Sequence, residues 1–196
     1  MAKKNARNTR GKIVSAAWKL FYEQGYEDTT VEEIISLSGT SKGSFYHYFD
    51  GKDALLSTLS SLFDEKYEEL MEELTPEMTA MEQLLFLNQE LFKMIEDSIS
   101  LDLLARLYST QLTTSGEKHL LDHNRIYYKL LRKIIAKGRE EGQLSRTSSV
   151  SEMVKLYALC ERALLYDWCL CAGEYSLVEY SGRVLPVFLS SFLPQK

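Results

Sequence analysis

Hydrophobic positions recur with helical spacing along most of the chain. In "GKIVSAAWKLFYEQGY", apolar residues at i, i+3, i+4, i+7 and i+8, counted from Ile13, predict an amphipathic helix that ends near Gly25. The same spacing continues after Pro76, where further helices are predicted at roughly 78–97, 99–113, 117–141, 148–173 and 177–193. No segment has the alternating pattern of a β-strand. The pattern therefore predicts an all-α fold.

Between the first helix and residue 50, two shorter helices are predicted, with a tight turn between them. Thr30, followed three residues later by Glu33, predicts a capping box at the start of the second helix. That helix stops at "LSGTS", where Gly39 supplies the turn and Ser41 is placed to cap a third helix. Two short helices joined by a glycine-containing turn form a helix-turn-helix motif.

The third helix combines small, hydroxyl and aromatic residues in "SKGSFYHYF". At about 100° per residue, Phe45 and Phe49 share one face and are predicted to anchor the helix on the first two. Tyr46, His47 and Tyr48 are consecutive and cannot all be buried. Hydroxyls, tyrosines and a lysine are groups that bind the phosphates and base edges of duplex DNA. The alternative is a polar surface helix whose aromatic residues have no partner.

Charge is distributed unevenly along this acidic chain. The 196 residues carry a formal net charge of −5, yet residues 1–52 hold eight Lys and Arg against six Asp and Glu, whereas the remainder holds 15 against 22. The first twelve residues carry five positive charges and no negative one. Charge acts locally and is screened within about 10 Å at 0.1 M salt. The basic N-terminal segment is therefore compatible with a nucleic-acid partner.

The stretch "TTVEEIISLSGTSKGSFYHYFDGKDAL" resembles the DNA-binding signature of TetR/AcrR-type transcriptional regulators, and "IVSAAWKLFYEQGYEDTT" before it is similar to their first helix. The resemblance covers about residues 9–56, with Thr40 and Asp50 departing from the family pattern. It implies that the third helix enters the major groove and that Lys52, which opens a fourth helix, binds a phosphate. The residues implied to contact DNA are Thr30, Ser41, Lys42, Gly43, Ser44, Tyr46, His47, Tyr48 and Lys52.

The resemblance also implies the organisation of the whole chain. A helix-turn-helix domain is expected over residues 1–52, a single connecting helix over 52–74, and a larger effector-binding and dimerisation domain over 75–196. The predicted helices 148–173 and 177–193 are apolar on more than one face, and in the family the last two large helices pair across a two-fold axis. A homodimer through these helices is therefore expected, although both could be the core of a monomer.

An effector pocket is implied within the larger domain. Its lining is expected to be apolar and aromatic, with hydroxyls that orient the ligand, although most of these side chains are equally compatible with plain core. Arg106 and Arg162 are charges within apolar helices and either bind a ligand carboxylate or pair internally. The candidate lining residues are Phe86, Arg106, Tyr108, Tyr127, Tyr128, Tyr166 and Trp168.

Other kinds of chemistry have little support in the sequence. There is no glycine-rich phosphate loop, no G-x-S-x-G motif and no pairing of a nucleophile with a base, so an enzyme is not expected. His119 and His123 have the spacing of a helical metal pair but lack a third ligand, and neither a metal nor a cofactor is expected. No run of 18 apolar residues is present, so no membrane partner is expected.

These observations predict a cytoplasmic, homodimeric, one-component transcriptional regulator. We expect a repressor that a small, largely apolar effector releases from a pseudo-palindromic, double-stranded operator. The alternative is a helical small-molecule-binding or interaction protein of the same fold that does not bind DNA.

Overall fold

The structure, a computed structural model, describes residues 2–113 and 118–194, with side chains from Thr9 onward, and every regular element within those ranges is helical. The all-α prediction is confirmed. The helices are α1 Ala2–Gln24, α2 Val31–Ser38, α3 Lys42–Tyr48, α4 Lys52–Leu56, α5 Leu59–Glu73, α6 Ala80–Ser98, α7 Leu101–Thr113, α8 Ile126–Glu140, α9 Val150–Leu170 and α10 Leu177–Leu189, with short 3₁₀ helices at His119–Leu121 and Ser190–Phe192.

The predicted single helix over residues 52–74 is two helices, and the prediction of continuity was wrong. The break falls at Ser57 and Thr58, between α4 and α5. Their hydroxyls donate back to the carbonyls of Ala54 and Leu55, at 2.7 and 2.6 Å. The indole Nε1 of Trp18 donates to the Thr58 hydroxyl at 2.8 Å and holds it in place. Such local side-chain bonds compete with the helical ladder.

The predicted helix over 117–141 begins later than expected, at Ile126, and residue 117 lies outside the described residues. The Asp122 carboxylate accepts the backbone N–H of Asn124 at 2.8 Å and forms a local turn before α8. Asp64 of α5 accepts from the Arg125 guanidinium at 3.0 Å and from the backbone N–H of Tyr127 at 3.4 Å. The bond to the Tyr127 N–H satisfies a backbone donor in the first turn of α8, which favours a helix start at this point.

The described chain divides into two compact units. One contains Met1–Ser61 together with Asp102–Ser115, and the other contains Leu62–Leu101 together with Gly116–Lys196. The first unit therefore includes α7 as well as the helix-turn-helix. The expected division into a DNA-binding domain over residues 1–52 and an effector-binding domain over 75–196 stays a prediction.

The second unit is held together by α6, α8, α9 and α10, which pack on one another. Its core includes fully buried leucines on α6 and isoleucines on α8. Gly138 lies at the crossing of α8 and α6, where a Cβ atom would be 2.5 Å from the Cβ of Ala80. The close approach of these two helices therefore requires glycine.

None of the described helices is both long enough and apolar enough to cross a lipid bilayer.

Candidate functional site

The turn between α2 and α3 has the local geometry that the sequence predicts. Thr30 and Glu33 form both bonds of a capping box, and Gly39 adopts a left-handed conformation with φ 62°. The hydroxyl of Ser41 accepts the backbone N–H of Ser44 at 3.1 Å and caps α3. Each bond satisfies a backbone donor at a helix start, and the glycine permits a φ that L side chains rarely adopt. These predictions are confirmed.

Two buried phenylalanines anchor α3, and its polar residues face solvent. Phe45 and Phe49 are 0% and 4% exposed, as the sequence predicts. Lys42, Gly43, Tyr46 and His47 are exposed, and Ser44 and Tyr48 are partly buried. The rings of His47 and Tyr48 are in contact, with centroids 4.7 Å apart. The helix is thus held rigidly while donors, acceptors and aromatic faces point to solvent.

Gly43 leaves open space on this outward face. The nearest atom to a Cβ built at Gly43 is the Ser41 hydroxyl, at 4.0 Å. A glycine inside a helix is less favourable than alanine by about 1 kcal/mol, and no packing within the described protein requires it. A close approach of something outside the chain would account for the glycine.

Lys42 has only a loose partner within the chain. Its Nζ is 3.4 Å from a carboxylate oxygen of Glu32, and both side chains are about 70% exposed. Exposed ion pairs of this kind contribute little to stability and are readily exchanged. The ammonium is therefore available to another anion.

Lys52, which the resemblance assigns to a phosphate, makes internal bonds. Its Nζ donates to the carbonyls of Tyr26, Glu27 and Thr29 at 2.6, 3.2 and 2.9 Å. It also lies 4.2 Å from the centre of the Tyr26 ring. The side chain is thus hydrogen-bonded to the segment that leads into α2. A phosphate contact at this residue stays a prediction and would have to replace one of these bonds.

Arg106, a candidate for the effector pocket, belongs to the first unit. Its guanidinium bonds Asp102 at 2.9 Å, pairs with Glu27, and lies 4.8 Å from the centre of the Tyr26 ring. The Tyr26 hydroxyl in turn donates to Asp53, and burial together with this bond raises the pKa of Tyr26. Arg106 thus links α7 to the segment before α2, which matches internal pairing rather than capture of a ligand carboxylate.

The other candidate pocket residues are scattered. Tyr108 is partly buried in the first unit, and Phe86 is partly buried in the second. Tyr127, Tyr128 and Trp168 are buried in the second unit, where the Trp168 indole donates to the carbonyl of Tyr175 at 2.9 Å. Tyr166 is 47% exposed on α9. Tyr127 and Tyr128 are in direct contact, with ring centroids 4.8 Å apart.

A buried polar cluster surrounds Tyr127. Glu161 of α9 is 4% exposed and accepts from the Tyr127 hydroxyl at 2.6 Å and from the Asn88 amide at 2.9 Å. The Tyr157 hydroxyl also lies against the carboxyl and donates to the Leu84 carbonyl at 2.8 Å. Burial raises the pKa of Glu161, and its hydrogen bonds only partly oppose that shift.

The site prediction omitted Asn88 and Glu161. Each stands at an inward position of an otherwise apolar helix, Asn88 between Leu87 and Leu91 and Glu161 between Ala158 and Leu164. A polar residue at such a position was the available signal.

An exposed apolar stripe runs along α9, with a second group of exposed apolar residues on α10. On α9, Leu159, Tyr166 and Leu170 are 52%, 47% and 66% exposed, and the exposed Ala163 lies between them at helical spacing. On α10, Val187 is 73% exposed. Apolar surface that repeats along neighbouring helices is typical of a protein–protein interface.

The described side chains include no group of three or more His, Cys, Asp or Glu that could hold a metal ion.

The fold and the outward face of α3 together define a helix-turn-helix protein whose second unit is larger and also helical. Residues 13–59 match the model of the bacterial regulatory proteins of the tetR family. The chain thus carries the DNA-binding domain of tetR-type bacterial regulatory proteins.

Full-length similarity is found with a regulator of lipid metabolism. The fatty acid metabolism regulator protein of Bacillus subtilis is 24% identical over 91% of this chain and 92% of its own length. An uncharacterised helix-turn-helix regulator of Lactococcus lactis is 41% identical, but only over 58 residues, which are 29% of this chain and 30% of the relative. The higher identity is thus found over a short stretch and the lower one over most of the chain.

Solved structures share the fold over nearly the whole chain. FadR of Bacillus subtilis in complex with stearoyl-CoA matches with a TM-score of 0.70 and 23% identity, over 93% of this chain and 99% of that one. FadR of Thermus thermophilus in complex with lauroyl-CoA matches with a TM-score of 0.72 and 24% identity, over 95% and 96%. At these identities the likeness establishes the fold alone.

Proposed function

We propose that the protein is a homodimeric repressor that binds a pseudo-palindromic operator in the cytoplasm and releases it when a small, largely apolar effector binds. The observation that carries the DNA-binding part is the outward face of α3, a rigidly anchored helix whose exposed side chains have few internal partners. Ser41, Ser44, Tyr46 and Tyr48 supply donors to phosphates, and Lys42 and His47 reach base edges. Thr30 and Lys52 flank this face.

Gly43 supports the same assignment. Its open surroundings give the DNA backbone room to approach α3 closely, which a side chain at this position would obstruct. An operator contact on this face would explain why glycine occupies a helical position without packing against the rest of the chain.

The apolar residues on α9 and α10 support the dimer. Two copies that bury these residues on each other would form an isologous interface, in which the same surface serves both subunits. In helix-turn-helix dimers the two recognition helices read half-sites about 34–36 Å apart. A pseudo-palindromic operator follows from that geometry.

The repressor assignment rests on the relatives. The name of the Thermus FadR structure calls it a transcriptional repressor and gives its ligand as lauroyl-CoA. Effector release follows from linkage: a ligand that weakens DNA binding is itself weakened by DNA to the same factor. A 100-fold release needs about 2.7 kcal/mol of coupling, within the usual range.

The DNA-binding part is tested with an operator selected from random duplexes and measured by fluorescence anisotropy. Tyr46→Ala should weaken binding by about 1–3 kcal/mol, if its contact is typical of base or phosphate contacts. Tyr22→Ala is the matched control, because Tyr22 is also exposed but lies on α1. Failure of random selection to enrich any sequence would favour the alternative, a protein of this fold without DNA binding.

The dimer is tested by sedimentation. The unmutated chain should sediment near twice 22.6 kDa. Val187→Asp should shift it toward the monomer, because burying an unpaired charge is costly. Leu112→Asp is the matched control, since Leu112 on α7 is equally exposed at 73% but lies outside the interface. A monomer at micromolar concentration in the unmutated protein would contradict the proposal.

A further inference from the structure

We propose that the buried cluster around Glu161 is the polar end of the effector site and takes an organic cation, a primary ammonium carried on an apolar body. The inference rests on the proposed function, because it names the ligand chemistry of the effector site. The cluster is formed by the side chains of Asn88, Tyr127, Tyr157 and Glu161.

The first step is the missing counter-charge. Glu161 is buried, and within the described chain no Lys or Arg forms an ion pair with it, although the positive charge of Arg162 partly opposes the rise in its pKa. The nearest guanidinium in sequence, that of Arg162, donates instead to the Tyr128 hydroxyl at 3.2 Å. A buried carboxyl without a cation is costly as a charge, and adding one removes that cost.

The second step is a buried hydrogen-bond acceptor that has no donor. The Oδ1 atom of Asn88 is fully buried and has no hydrogen-bond donor, while its Nδ2 atom donates to Glu161. Such buried unpaired acceptors are rare in native proteins. Asn88 Oδ1 and the Glu161 carboxyl belong to side chains in direct contact. Together they offer acceptors to a group with several N–H donors, which a primary ammonium supplies.

The third step is the aromatic surround. Tyr127 and Tyr157 bring their hydroxyls to the carboxyl, and the Tyr67 ring lies against Tyr127 with centroids 5.1 Å apart. Aromatic rings near a carboxylate attract an organic cation through its charge. A carboxylate ligand, by contrast, would face the Glu161 carboxyl and the Asn88 carbonyl oxygen, while the guanidinium of Arg162 donates to the Tyr128 hydroxyl.

The position also offers a path for coupling within the second unit. The side chains of Asn88, Tyr127 and Glu161 are in hydrogen-bond contact, so a ligand headgroup has to come between them. Displacement of Tyr127 acts on α5, because the Tyr127 ring packs on Tyr67 and its backbone N–H bonds Asp64. The α5 helix begins at Leu59, next to α4.

The test compares four probes by isothermal titration calorimetry on the full-length protein: n-decylamine, n-decanol, decanoate and lauroyl-CoA. The amine should bind at least about 10-fold tighter than the alcohol, a difference of about 1.4 kcal/mol, and decanoate should bind weakest. Glu161→Gln should remove this preference for the amine while keeping the alcohol affinity within about 3-fold. Glu68→Gln, an exposed change of the same type on α5, should leave all affinities unaltered.

A second variant allows the inference to be tested even if Glu161→Gln fails to fold. Asn88→Leu removes the unpaired acceptor and should lower the amine affinity more than the alcohol affinity. Equal amine binding by the unmutated protein and Glu161→Gln, or tighter binding of decanoate or lauroyl-CoA than of the amine, would overturn the inference. So would failure of all four probes to bind.

The proposed function fails separately from this inference. Operator binding is measured without any ligand, so its absence counts against the regulator itself. Operator release by lauroyl-CoA would keep the proposed function while overturning the cation site.

Discussion

Two groups of tyrosines with polar neighbours differ in their exposure: one lies on the surface of α3, and the other is buried around Glu161. On α3, Tyr46 and Tyr48 surround His47 at the surface, and the helix beneath them is held by two buried phenylalanines. Around Glu161, Tyr127 and Tyr157 are buried, and the polar groups bond mainly to one another. The outer group therefore has unused hydrogen-bonding capacity toward solvent, whereas the inner group is almost closed, with one acceptor left over.

The same residue types therefore serve different partners in the two regions. A flat, open arrangement of donors on a rigid helix suits a long polyanion that approaches from outside. A closed arrangement around a buried carboxyl without an ion-pair partner suits a small molecule that binds between its side chains. Two glycines repeat the contrast: Gly138 is required by the packing of the chain itself, and Gly43 is not. Four predictions test these contrasts, taken from the largest expected effect on stability to the smallest.

Lys52 should matter more for the fold of the first unit than an outward-facing DNA contact would. Lys52→Met removes three bonds from a charged donor to backbone carbonyls, and we expect the free energy of unfolding to fall by about 2–4 kcal/mol. Urea denaturation followed by circular dichroism measures this change. Lys19→Met is the control, because Lys19 is exposed and its paired atom on Glu23 is 3.9 Å away. Unchanged stability together with a lower salt dependence of operator binding would instead assign Lys52 to a phosphate.

Gly138→Ala should destabilise the second unit. The new Cβ would lie 2.5 Å from the Cβ of Ala80 and 3.0 Å from a methyl group of Leu144, so the α6–α8 crossing has to widen. Overpacking of this kind typically costs about 1–3 kcal/mol. Thermal and urea unfolding measure it, and operator affinity at low temperature should be unchanged. A fully stable variant would show that the crossing is less tight than described.

Glu161→Gln should alter how stability depends on pH. Burial raises the folded-state pKa of Glu161 above its unfolded value, so its contribution is fully present below the unfolded pKa and is lost as the pH rises through the folded pKa. Relative to the variant, the unmutated protein should therefore lose about 1.4 kcal/mol per pH unit in that interval. The ionisable groups that interact with the carboxyl are Tyr127, Tyr157, Cys160 and Arg162, and the positive charge of Arg162 opposes the rise in the pKa of Glu161. Parallel pH curves for both proteins would contradict the prediction.

The sequence predicts the outer region far better than the inner one. The capping box of Thr30 and Glu33, the turn at Gly39 and the cap at Ser41 are made by residues within a few positions of one another, so local spacing is sufficient. The inner cluster joins Asn88 to Glu161 across 73 residues and Tyr127 to Glu161 across 34. Helical periodicity predicts that each of these residues is buried, but it does not predict which of them are in contact.

Two local features also escaped prediction. The α4–α5 break depends on hydroxyl bonds of Ser57 and Thr58 and on a donor from Trp18, 40 residues earlier in the chain. The hydrogen bonds of Lys52 to the loop before α2 join residues that are 23 to 26 positions apart in the chain. The bonds of Trp18 and Lys52 are tertiary contacts, which override a sequence compatible with a continuous helix and with a lysine at the surface.

Gly43→Ala has the smallest expected effect on stability and should separate the fold from DNA binding. The added methyl group meets only the Ser41 hydroxyl, at 4.0 Å, so no packing is disturbed. Alanine favours the helix over glycine, and we expect the free energy of unfolding to rise by up to about 1 kcal/mol. Operator affinity should fall nevertheless, because the methyl group occupies the space through which the DNA backbone approaches. The two quantities are measured by urea denaturation and by anisotropy with the selected operator. Ser36→Ala on α2, an exposed change to the same residue outside α3, should leave operator affinity unchanged. A more stable Gly43→Ala protein that binds the operator as tightly as the original would show that α3 does not approach DNA at this residue.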